Sequence, residues 1–514
     1  MPKSKIKYIV ISDIHLGAYN SLLTYIEEFP DPVKDSDKFK VNPQKTSPAL
    51  AELLNCLKHI VHSVNGSSKP PQFILLGDVL ELALGDINAA SMTFERFLEV
   101  AYKETKHHFS ESILYIPGNH DHHLWETARE KQYMDYIANL KPNQYINDTW
   151  HTTKMVDPDF IQSDLLTGIL RRNKKLKRAE AVIAYPNLEI SSKNGKRSVF
   201  LTHGHFLENI YSLMSTMQRI LLPDIDETPD APKRNRSVWS KMNDYNPFKR
   251  AKEITTPKSI YVLERENFAW IDFFWSTLGR SGKVGTGIGL IYDMLQDTKA
   301  VGKLAQNVSA YLLRNLNLPF LLRILGIKWL LYKGFSYILT KIVVKVGQAE
   351  RGMSNSVLSD EVVHNMDSYL GETLPAQWKA ETRKSKREFP NDYTFIFGHT
   401  HKPFAVETQD LGLKVQSKEV FNTGGWVVDT IQPMTSHGGA VLFIDEDANV
   451  ASFKVYTEGE IKPGFLVPDG KTNPMYETLV ETIDLQNRKF SALSKSLEEE
   501  IRLRRRYLKV RVKE

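Results

Sequence analysis

Cysteine is almost absent. Cys56 is the single one in 514 residues, so no intrachain disulfide can form. It sits in ELLNCLKHIV, an apolar stripe of helical spacing, and this predicts a buried thiol. Long apolar runs are missing too, and no uncharged stretch approaches the ~18 residues of a spanning helix. The start, MPKSKIKYIVISD, is basic but lacks an apolar core of signal-peptide length. These absences point to a reducing, cytoplasmic setting. Acidic residues are absent from 298–349, which holds eight Lys or Arg and so more than accounts for the net charge of +6. GKVGTGIG (282–289) lacks the GK[ST] of a phosphate loop and reads as a flexible connection. There is no internal repeat.

With 41% hydrophobic and 25% charged residues, the composition is that of a soluble globular protein. Seven short runs rich in Val, Ile, Leu, Phe and Tyr read as buried strands: 7–15, 72–81, 113–121, 198–205, 394–401, 419–426 and 440–445. Helix-like segments at 47–64 and 91–107 separate the first three. Strand, helix, strand with little polar alternation predicts an α/β sheet covered on both faces. Residues 206–389 lack this pattern and read as a mostly helical insert, while 461–514 reads as a charged helical extension. Runs such as RRNKKLKR (171–178) and RKSKR (383–387) read as solvated loops.

The Asp, Asn and His residues of the first five runs all fall at the run's end. They are Asp13 and His15, then Asp78, then Asn119 and His120, then His203 and His205, then His399 and His401. Each motif alone is common. Together they place oxygen and imidazole donors at the carboxyl ends of five strands, where open α/β sheets bind ligands. Donors of this kind without thiolate suit Mn, Fe, Zn or Mg. In Asp13-Ile14-His15 an extended backbone would aim both side chains at one ion. Two ions ~3.5–4 Å apart need a bridging ligand, and a carboxylate can bridge.

ISDIHLG, GDVLE, GNHD, THGH and GHTH, in that order, resemble the five blocks of the calcineurin-like metallophosphoesterases. The resemblance covers about 1–205 and 390–455 and implies a four-layer α/β/β/α sandwich with a dinuclear metal centre. It places Asp13, His15 and His401 on one metal, and Asn119, His203 and His399 on the other, with Asp78 bridging. It implies that a water between two divalent cations, manganese first with iron or zinc as alternatives, attacks the phosphorus. His120 would face the leaving group and needs an orienting carboxylate. Glu81 is the favoured partner and Asp121 the other. His205 would line the site without touching metal, and His122 and His123 read as helix-start or surface residues, with substrate contact as the second reading.

The catalytic domain is therefore expected at 1–205 and 390–460, with 206–389 as a cap. LGA after the first block, GHTHKP and FNTGGW are similar to the UDP-2,3-diacylglucosamine pyrophosphatase branch, and this implies a lipid-linked phosphate ester or pyrophosphate. The segment 311–346 mixes aromatic and aliphatic residues with Lys and Arg. It reads either as a buried helical hairpin or as a cap peripheral to an anionic membrane, at its inner face. A nuclease of the same superfamily is the second reading, although no nucleic-acid module with stacking aromatics is present. A membrane-associated scaffold with a vestigial site is the third, and the complete set of seven ligand types argues against it.

Overall fold

Residues 4–30, 37–104, 108–208, 211, 259–272, 357–415 and 418–513 are described by the structure, a computed structural model. The basic segment 311–346 and the glycine-rich 282–289 lie outside them. The strands are β1 (Tyr8–Ile11), β2 (Thr24–Pro30), β3 (Asp37–Thr46), β4 (Gln72–Leu75), β5 (Ile113–Tyr115), β6 (Ile161–Gln162), β7 (Ala181–Ile183), β8 (Asn187–Ser191), β9 (Arg197–Thr202), β10 (Asp392–Phe397), β11 (Pro403–Glu407), β12 (Glu419–Thr423), β13 (Gly438–Ile444), β14 (Val450–Thr457) and β15 (Gly464–Leu466). The helices are α1 (Pro48–Asn65), α2 (Ile87–Ala101), α3 (His123–Ala138), α4 (Asp164–Arg172), α5 (Ile260–Ile271), α6 (Asp360–Ser368), α7 (Leu374–Glu381), α8 (Pro474–Thr482) and α9 (Arg488–Lys513).

All seven apolar runs contain a strand. They fall into two sheets, one in the order β15-β14-β13-β1-β4-β5-β7-β6 and one in the order β11-β12-β10-β9-β8. β1, β4, β5 and β7 are parallel, as are β9, β10 and β12. Parallel neighbours need crossover connections. α1 and α2 supply those on one side, and the crossover from β9 to β10 is the whole section that the sequence marks as an insert. The parts of that section that are described are mostly helical. α6 and α7 are joined by a π-helical turn, Tyr369–Thr373.

Three apolar clusters set the order of packing. Val10, Ile74 and Leu114 of the first sheet meet Leu201, Ile396 and Phe421 of the second, so the sheets are packed face to face. The other face of the first sheet is covered by α1, α2, α8 and α9, where Leu53, Phe94, Leu479 and Leu497 share one core. The other face of the second sheet is covered by α6 and α7, through Met366, Leu370 and Trp378. Short strands with apolar side chains on both faces are what such packing requires.

Residues 461–501 do not form a separate extension. β15 pairs with β14, and Phe465, Met475, Phe490 and Ile501 lie in the core of the first sheet. Asn473 caps α8 through Oδ1 to the Tyr476 amide at 2.9 Å, while its Nδ2 donates to the Val450 carbonyl of β14 at 2.8 Å. The charge on this segment is on its outer side, which is why its sequence reads as a tail. Cys56 is buried, its thiol donates to the Lys489 carbonyl at 3.3 Å, and burial pushes its pKa up to about 12. That thiol is inert.

Candidate metal centre

The five polar blocks leave the carboxyl ends of β1, β4, β5, β9 and β10 on one side of the molecule. Their loops hold one another. The Asp13 amide donates to the Gly77 carbonyl at 3.0 Å and the His15 amide to the Asp78 carbonyl at 2.9 Å. The Gly398 amide donates to the His203 carbonyl at 3.1 Å, and the His399 amide reaches the Asp13 carboxylate at 3.0 Å. Asp13, His15, Asp78, His399 and His401 all have left-handed backbones, with φ of 50°, 43°, 50°, 68° and 57°. Such φ values are uncommon outside glycine and collect at functional sites. Asp13 and His15 therefore do not share a face of an extended segment, as the sequence suggested. β1 ends at Ile11, and two left-handed turns bring both side chains inward instead.

Two groups of donors form. Asp13, His15 and His401 converge so that one atom from each lies within 4.8 Å of the others, and so do Asp78, His203 and His399. A third group of this kind, His15, Asp78 and His120, overlaps both. Asn119 joins the second group, with Oδ1 3.2 Å from His203 Nε2. Asp78 Oδ2 lies 3.3 Å from His203 Nε2 and 3.9 Å from His15 Nε2, so its carboxylate stands between the groups.

Three of the imidazoles are oriented by a contact at Nδ1. His15 Nδ1 meets Glu81 Oε2 at 3.0 Å, His203 Nδ1 meets the Leu76 carbonyl at 3.0 Å, and His401 Nδ1 meets Asp429 Oδ2 at 2.9 Å. An oxygen on one nitrogen fixes the tautomer and presents the other nitrogen to a ligand. The sequence carries no signal for Asp429, since its pairing with His401 depends on loop 424–429 turning back. That turn is bonded from the Trp426 amide to the Asp13 carbonyl at 2.9 Å.

His120 Nδ1 lies 3.0 and 3.1 Å from the two oxygens of Glu81. Glu81 thus contacts both His120 and His15. Asp121 faces elsewhere. Its Oδ1 accepts from the Gly118 amide at 2.7 Å, and its Oδ2 accepts from the Val79 amide at 2.8 Å and from the Tyr115 hydroxyl. Asp121 shapes the loops that carry Asp78 and Asn119. His205 is buried beside Tyr185, with Nε2 3.3 Å from the hydroxyl. His123 opens α3, but His122 is fully buried between Tyr185 and Phe268 rather than at the surface.

Burial alone would raise the Asp13 and Asp78 carboxyls, but the neighbouring imidazoles, His203 first among them, together outweigh it, and both stay below the usual range. Burial is likewise outweighed at His203, where Asp78 and Asp13 lift the imidazole to about 9, and at His401, where Asp13 and Asp429 lift it to about 10. The site is a buried concentration of negative charge that favours cations.

The donors fit divalent metal ions. His15 Nε2 is buried with no hydrogen-bond partner among the described residues, although its Nδ1 is held. A Cβ at Gly118 would overlap the Asp78 carboxylate and one at Gly398 the Asp13 carboxylate, so these glycines keep the cradle open. Oxygen and imidazole donors without thiolate suit hard or intermediate cations. Residues 6–255 match the family model of the calcineurin-like phosphoesterases. That match includes the first four blocks and ends before His399 and His401, which the fold brings to the same place. No curated protein matches the chain.

Proposed function

Because the chain belongs, through residues 6–255, to the calcineurin-like phosphoesterases, a family of hydrolases acting on phosphoric esters, we propose that it hydrolyses a phosphate ester or pyrophosphate with the help of two divalent ions. Asp13, His15 and His401 would hold one, Asn119, His203 and His399 the other, and Asp78 both. The observation that carries this reading is the Asp78 carboxylate, which stands between two groups of inward-facing donors. Manganese is the proposed ion, from the donor types.

Two divalent ions held by these residues would supply a lowered water pKa and neutralisation of charge on the phosphate oxygens. The remaining work falls to the side chains. Glu81 holds His120 through Nδ1, so a proton given to a leaving oxygen is carried at Nε2. The Glu81 charge also stabilises the imidazolium. Burial favours a neutral Glu81, but the contacts with His120 and His15 together outweigh it and keep the carboxyl ionised. Asp429 and the Leu76 carbonyl keep His401 and His203 in one tautomer.

The test is metal content by mass spectrometry, with hydrolysis of bis-p-nitrophenyl phosphate and p-nitrophenyl phosphate under added Mn²⁺. About two ions per chain and metal-dependent turnover are expected. Asp78→Asn should lose both activity and metal, and full activity in that variant would remove the shared-ligand assignment. A lipid-linked substrate rests on the motifs LGA, GHTHKP and FNTGGW, and a membrane-surface one on the sequence of 311–346. Sedimentation of the full chain with phosphatidylglycerol vesicles tests the latter, and failure to co-sediment removes it.

A further inference from the structure

The turn after β9 carries a carboxylate that the five-block pattern does not include. Glu208 follows the short 3-10 turn His205–Leu207 and is 2% exposed. Its Oε1 lies 3.2 Å from His399 Nε2. We propose that Glu208 is a further ligand of the second metal position, beside Asp78, Asn119, His203 and His399. The proposal rests on the dinuclear reading above.

Distances carry it. Two ligand atoms about 2.0–2.2 Å from one ion, at tetrahedral or octahedral angles, lie roughly 3.0–3.5 Å apart. His203 Nε2 is 3.2 Å from Asn119 Oδ1 and 3.3 Å from Asp78 Oδ2, and His401 Nε2 is 3.5 Å from Asp13 Oδ1. The contact of Glu208 with His399 belongs to the same series. It involves Nε2, the nitrogen that the three held imidazoles also present inward.

The turn is built to hold this carboxylate in place. Gly204, at φ 98°, reverses the chain after His203, and a Cβ there would press on Phe397. The Glu208 amide then donates to the His205 carbonyl at 3.2 Å, and its carbonyl accepts from the Tyr211 amide at 3.1 Å. Asn365 of α6 donates to the Leu207 carbonyl at 2.8 Å. Phe206 packs on Tyr369, with ring centroids 5.0 Å apart. A ligand on a turn fastened at both ends is pre-organised. Glu208 would give the second position an anionic oxygen to accompany the neutral oxygen of Asn119, and it links that position to the helices of the 206–389 section.

The experiment is Mn²⁺ titration of the full-length chain by calorimetry, together with electron paramagnetic resonance of the Mn²⁺ pair. Glu208→Gln keeps the volume and removes the charge. It should bind the first ion as the wild type does and the second at least about tenfold more weakly, with the coupled-pair spectrum appearing only at raised Mn²⁺. Wild-type affinity for both ions in Glu208→Gln overturns the proposal and leaves the dinuclear reading standing. A wild-type chain that binds no Mn²⁺ overturns both. If Glu208→Gln does not fold, Glu208→Asp, which withdraws the carboxylate by one methylene, is read by the same criterion.

Discussion

Glu81 is the side chain with two tasks, because one carboxylate contacts His15 Nδ1 and His120 Nδ1 together. The two tasks separate in variants. His120→Ala should keep its metal and lose about 10²–10⁴-fold in kcat, most for phenyl or alkyl esters, whose leaving oxygens need a proton. Loss of metal in His120→Ala would show instead that His120 is a ligand. Glu81→Gln should lose turnover and also weaken the first ion about 10–100-fold, because His15 loses the contact that fixes its tautomer. Metal titration of the two variants side by side checks this. If Glu81→Gln binds metal like the wild type, its hold on His15 is unimportant.

Loops and helices impose the next constraint. The loop after β10 passes so close to Asp13 that only glycine fits at 398. Gly398→Ala should cost about 1–3 kcal/mol in urea unfolding, as overpacking does, and should also lower metal content. A variant with full metal would mean that the loop can move aside. On the opposite flank, α5 places Glu264 in a buried position, where its Oε2 accepts from the Tyr185 hydroxyl at 2.7 Å. Burial lifts this carboxyl to about 8, and the Tyr185 hydrogen bond only partly opposes it. Its folded pKa is thus above its unfolded value of 4.5, so the stability it contributes is complete below pH 4.5 and is lost as pH rises through about 8. Glu264→Gln should remove that loss, and the difference between variant and wild type should grow by up to about 1.4 kcal/mol per pH unit across the window. Parallel stability-against-pH curves would refute this.

Across the whole molecule, the C-terminal helix braces the donor group of Asp13, His15 and His401. Arg504 of α9 is fully buried, donating through Nε to the Ser21 carbonyl at 2.9 Å, through Nη2 to the Thr24 carbonyl, and through Nη1 to Glu500 at 2.7 Å. The segment it holds reaches the site twice. Ser21 Oγ donates to the Ile14 carbonyl at 2.6 Å, and Asn20 Nδ2 donates to Asp429 at 3.0 Å, whose other oxygen holds His401. Arg504→Met should cost about 3–5 kcal/mol by leaving Glu500 and two carbonyls buried without the guanidinium. It should also weaken Mn²⁺ binding at the first position. Urea unfolding and Mn²⁺ titration check both, and loss of stability with intact metal affinity would confine Arg504 to a structural role.

The donors and their order along the chain are legible without coordinates, because buried parallel strands read as apolar runs and each run ends in a polar block. The presence and order of the seven strands, the first two helices and the mostly helical nature of the described parts of 206–389 follow from the same periodicity. The left-handed turns at Asp13 and His15, the partner Asp429, the second contact of Glu81 with His15, the placement of Glu208 and the brace from Arg504 do not. Each joins residues far apart in the chain, through backbone turns and hydrogen bonds that leave no periodic trace. Residues 461–501 show the same limit, because a helix with a charged outer face reads as a tail until its apolar stripe is seen packed on the first sheet. Composition and spacing thus determine which ligands the chain carries and on which strands. Long-range packing determines how those ligands are aimed, because only the folded neighbours supply the contacts that fix each tautomer and turn.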